Sequence, residues 1–144
     1  MHIFLPVALA TAAAAAIVNI WLALRVGRLR ISEKIMVGDG GDSRMTARMR
    51  AHANFTEYAP FVLILLALVE LAAGSSPWLW GAGAVFIAGR LLHAFGMDGW
   101  RAGRMTGILT TWIVLAGLAI AAATLLFQQQ ARIDGAPIEL APAA

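Results

Sequence analysis

Apolar residues fill four long stretches of this chain, and polar residues gather between them. From near Ile3 to near Val26 the sequence is apolar, with alanines from Ala12 to Ala16 and Asn19 as the strongly polar residue of its interior. About 20 such residues cross a bilayer's hydrocarbon, so this is a predicted membrane span. A signal peptide is the competing reading, but there is no basic leading region and the apolar run is too long. The alanine-rich faces predict close helix packing. Further spans are predicted at about 46–73, 78–97 and 105–127, giving one membrane domain. The second of these is about 42 Å long as a helix, more than the hydrocarbon needs. Its first two turns, with Arg48 and Arg50, are therefore expected among the headgroups. Pro60 is expected to kink it and free a carbonyl near Thr56, and Glu70 is expected at the far interface without a chemical role.

The connectors differ in kind. Residues 27–45 form a basic connector with Arg28, Arg30, Lys34 and Arg44, opposed by Glu33, Asp39 and Asp42. Within it, Gly38 to Ser43 reads as a turn. The ligand spacing of a calcium loop is missing, so no metal site is expected. Ser43 or Thr46 is a candidate cap for the next helix. Gly74-Ser75-Ser76-Pro77 is a tight uncharged turn, followed by Trp78 and Trp80 as an interfacial aromatic belt. Asp98 to Arg104 is the third connector. The tail from Gln128, with Pro137 and Pro142, is expected to be polar and frayed.

Composition sharpens this picture. Of 144 residues, 60% are hydrophobic and only 13% charged, where soluble domains carry roughly a quarter charged residues. Cysteine is absent, which excludes a disulfide framework and thiolate chemistry from the chain itself. The basic pI near 10.6 comes from residues flanking apolar spans, which points to a membrane surface and away from nucleic acid. Every Lys and Arg except Arg132 lies on or beside the first and third connectors. The positive-inside rule places both connectors in the cytoplasm and both termini outside.

Candidate chemistry sits where the second span begins. Read as a helix, Arg50, Asn54 and Glu57 fall within about 60° of one another. A carboxylate facing lipid is expensive, so Glu57 is expected to face a partner or a cavity. His52 lies about 160° from this stripe and is expected in packing or an interface.

The run Arg50-Ala51-His52-Ala53-Asn54-Phe55-Thr56-Glu57-Tyr58-Ala59-Pro60 resembles the signature of the MAPEG family, the membrane-associated proteins of eicosanoid and glutathione metabolism. Gly89-Arg90-Leu91-Leu92-His93 is similar to its third-span motif. The resemblance covers about residues 3–128. It implies an all-α four-helix membrane bundle, a homotrimer and a bacterial-type member in the inner membrane, with glutathione as cosubstrate bound between subunits. It also implies that Arg50, Asn54, Glu57 and Tyr58 hold the glutamyl end of glutathione, with Arg28 and His93 as further contacts. Arg104 resembles the arginine that stabilises the glutathione thiolate, and Arg101 is its fallback. Met97 stands where several family members carry Tyr, which weakens the expected catalytic power more than the binding.

The leading expectation is a membrane glutathione transferase or peroxidase acting on a lipophilic small molecule that enters from the membrane lipid. One alternative is a glutathione-independent structural or lipid-binding protein on the same scaffold. Another is a small four-span transporter using Glu57 as a proton carrier. The arginine beside Glu57 argues against the transporter, because it holds the carboxylate ionised.

Overall fold

The computed structural model describes residues 4–134, in which all regular structure is helical: α1 (Pro6–Glu33), α2 (Ser43–Ala73), α3 (Pro77–Met97) and α4 (Arg101–Asp134). Each helix is long and apolar enough to cross a membrane. The start of the expected first span at Ile3 and the prolines of the tail lie outside the described residues. Helix ends overrun the apolar stretches. α1 continues to Glu33 instead of ending near Val26, α2 begins at Ser43 instead of Thr46, and α4 includes the polar residues from Gln128 to Asp134. Backbone hydrogen bonds carry a helix past the hydrocarbon wherever nothing stops it. α1 stops at Lys34, whose left-handed backbone (φ 55°) lets its N–H reach the Arg30 and Ile31 carbonyls. Between them Gly38, Gly40 and Gly41 supply the positive φ values that the turn requires.

Capping is assigned differently from expectation. Asp42 caps α2, its carboxylate accepting from the Arg44 N–H at 2.8 Å. Ser43 and Thr46 lie inside the helix, and the Thr46 hydroxyl donates to Asp39 at 2.8 Å. The Gly41 N–H is the main cause that holds the Asp39 carboxyl below the usual carboxylate range, with Thr46 second. At the opposite end of the bundle, α1 has Pro6 in its first turn and no side-chain cap from Leu5. Glu70 of α2 fills the gap. Its carboxylate accepts from the Val7 N–H at 3.0 Å, the Ala8 N–H at 2.8 Å and the Ser75 hydroxyl at 2.6 Å. Glu70 is 1% exposed, so it is a buried structural carboxylate, a role that the expectation of a residue at the far interface did not include.

In the bundle α2 and α3 meet across the middle, whereas α1 and α4 lie at opposite corners and do not touch. Leu22, Phe55, Leu66, Leu79, Phe86 and Leu118 are among the core residues joining the four helices, with Phe55 and Phe86 stacked at 6.5 Å. α3 and α4 approach most closely through glycines. A Cβ at Gly107 would meet the His93 backbone nitrogen at 2.6 Å, and one at Gly96 would run into the backbone of Arg104. Apolar residues such as Ile17, Phe61, Val85 and Ile113 stay exposed on the outside of all four helices. That is the surface expected of a protein solvated by lipid or by other subunits.

Candidate functional site

The polar residues of α2 are held by the face they occupy. Ala51, Phe55, Ala59 and Val62 are buried against the core, which fixes the rotation of the helix. That rotation leaves Arg50 and Glu57 exposed and Asn54 and Tyr58 half-buried. Among the described residues, Arg50 and Glu57 make neither an ion pair nor a side-chain hydrogen bond. The ion pairs there are Arg25–Asp98, Arg48–Asp98 at 3.6 Å, and Arg44 with Glu33 at 3.0 Å and Asp42 at 2.7 Å. Opposite charges two turns apart on an exposed face of a membrane helix are thus left unpaired among the described residues.

Asn54 and Tyr58 are tied inward. Asn54 Oδ1 accepts from Arg90 of α3 at 2.8 Å, and Tyr58 Oη accepts from the Trp112 indole of α4 at 3.2 Å. Each keeps a donor free, the amide N–H₂ of Asn54 and the hydroxyl hydrogen of Tyr58. His93 is 3% exposed and packs against Gly107 of α4, with its Nδ1 unpartnered among the described residues. Arg104 is exposed in the first turn of α4, its backbone seated on Gly96. Arg101 is exposed one turn earlier. Met97 is half-buried and lines a 520 Å³ surface cavity with Ser43, Arg44, Ala47, Arg48, Asp98 and Gly99.

Arg28 stands apart. It is exposed on α1, which has no close backbone approach to α4, the helix that carries Arg104. His52 points away from the stripe, as its angle predicts, and its Nε2 donates to Asn19 Oδ1 of α1 at 2.8 Å.

Sequence reasoning passed over several of these connections. Arg90 was visible in the Gly89–His93 motif of the third span, but nothing in the spacing announced that Asn54 and Thr111 would receive it. The Trp112–Tyr58 contact and the Arg25–Asp98 pair cross 54 and 73 residues of sequence, and no local pattern marks them.

Residues 8–124 match the model of the MAPEG family. The chain is also similar to the inner membrane protein YecN of Escherichia coli strain K12, 32% identical over 100 residues that cover 67% of this chain and 74% of the relative. The same protein from Escherichia coli O6:H1 matches to the same extent.

Proposed function

This chain belongs to the MAPEG family and is an integral inner-membrane protein, and from that premise we propose that it binds glutathione between the subunits of a homotrimer and transfers it to, or uses it to reduce, a lipophilic electrophile. The observation that carries this reading is the outward stripe of α2. Arg50 and Glu57 are exposed and unpaired among the described residues, beside the free donors of Asn54 and Tyr58. The residues fit the glutamyl end of glutathione. Glu57 matches its ammonium, and Arg50 with the Asn54 amide matches its carboxylate. The Tyr58 hydroxyl has a hydrogen left to donate. Arg28 joins such a site from a neighbouring subunit in this reading, which the separation of α1 from α4 within one chain supports.

Arg104 takes the thiol end in this reading. A thiol with a pKa near about 8.5 is mostly protonated at neutral pH, and a guanidinium beside it favours the thiolate. The seating of the Arg104 backbone on Gly96 fixes where that charge starts. His93 lies across the same α3–α4 seam. Met97 cannot donate a hydrogen bond to the thiolate, so a modest rate is expected.

The test is thermal unfolding of the purified protein in detergent, with and without millimolar glutathione, paired with isothermal titration. A ligand that binds only the folded state raises the midpoint by mass action. An unchanged midpoint together with no heat of binding rejects glutathione and leaves a scaffold or lipid-binding role.

A further inference from the structure

Arg90 is a buried cation without a counter-charge among the described residues. It is 1% exposed in the middle of the bundle. Its Nη2 donates to Asn54 Oδ1 at 2.8 Å and its Nη1 to Thr111 Oγ1 at 3.1 Å, and the guanidinium carbon lies 5.9 Å from the Phe55 ring centroid. All three partners are neutral. Its Nε has no hydrogen-bond partner among the described residues, and none of the ion pairs there includes it. Neutral acceptors take two of its N–H donors but leave its charge unbalanced. A buried charge inside a membrane span is costly until an opposite charge approaches.

Asn54 shows where that charge belongs. A guanidinium can only donate, so the end of the amide facing Arg90 is its oxygen. The N–H₂ end therefore remains without a partner among the described residues. A ligand carboxylate received there would meet a donor already oriented and the field of a poorly hydrated cation behind it. In a low-dielectric setting that field reaches well beyond contact distance.

We propose that Arg90 is a positioning residue that orients the Asn54 amide and whose unbalanced charge is neutralised by the carboxylate of the bound ligand. The ligand meant is glutathione, so this inference rests on the reading above. One consequence separates it from a simple cross-link between helices. A carboxylate supplied by the protein itself would occupy the ligand's electrostatic role. It would stabilise the ligand-free chain and weaken binding, even when placed away from the stripe.

Thr111→Asp does this from α4, leaving Asn54 intact. Its ligand-free thermal midpoint is expected at or above that of the parent, and its glutathione affinity about tenfold or more lower. Parent-like affinity in a folded Thr111→Asp protein overturns the proposal. Should that variant fail to fold, Arg90→Lys and Arg90→Met decide. The lysine variant keeps the charge without the fork and is expected to bind between the parent and the methionine variant, whereas equal affinity in both variants overturns the proposal. A parent that binds no glutathione rejects the ligand reading instead. The ligand-free midpoint of Asn54→Asp then tests the charge alone, a rise supporting its imbalance and a fall overturning it.

Discussion

Glu57 and Arg104 are both exposed charges, but they act on different parts of the proposed ligand. The glutamyl end is unchanged through the reaction, so its contacts contribute mainly uniform binding. The thiolate is the attacking species, so its stabiliser acts on the nucleophile. Glu57→Gln is therefore expected to weaken glutathione affinity more than turnover, and Arg104→Ala to do the reverse. A cationic neighbour shifts a pKa by about 1–3 units, enough to change the thiolate fraction tenfold or more. The ultraviolet absorbance of the thiolate, read as a difference spectrum on adding glutathione, reports this without the electrophile being known. An Arg104→Ala protein with the parent's signal and affinity would assign the role to Arg101 or to no arginine. The stripe itself was legible in the sequence because Arg50, Asn54 and Glu57 share a helical face whatever the helix packs against. Their surroundings were not, because Asn54 meets Arg90 only after α2 and α3 have docked.

Among the elements, α1 depends most on a distant residue for its start. Pro6 needs no hydrogen-bond partner for its nitrogen, but the N–H groups of Val7 and Ala8 do, and in a membrane no water replaces a lost acceptor. Glu70 meets both from the end of α2. Glu70→Ala should destabilise the protein by about 1–3 kcal/mol or more, the cost of leaving buried donors unpaired. Glu70→Gln keeps one acceptor oxygen and should lose less. Thermal midpoints of the two variants in detergent check the order, and an alanine variant as stable as the parent removes the capping role. Existence and type of the elements were legible from the apolar runs. Their ends were not, because hydropathy marks where the hydrocarbon stops, and a helix ends only where its hydrogen bonds are taken over. At Lys34 and Asp42 those changes depend on backbone geometry that the apolar pattern does not contain.

At the scale of the whole molecule, the proposed site calls for more than one subunit. Arg28 and Arg104 stand on helices that do not meet, and Arg50 and Glu57 face outward without partners among the described residues. A homotrimer in which this stripe faces a neighbour removes both difficulties, and it keeps charged groups away from lipid. Native mass spectrometry from detergent is expected to show three copies. A persistent monomer, or an antiparallel dimer, removes the inter-subunit site.

The apolar periodicity and the R-A-x-x-N-x-x-E-Y-x-P run by themselves determined four membrane helices, the family and the face that carries the charged stripe. These are properties of short segments: burial of a span is set by its own composition, and a helical face by its own spacing. Docking of the four helices decided the rest. It gave Glu70 the end of α1, set His52 against Asn19, and enclosed Arg90 between Asn54 and Thr111. Each of these contacts joins residues far apart in the chain. Their energies depend on burial and distance, which come into being only when the glycine seam of α3 and α4 and the core around Phe55 and Phe86 have closed.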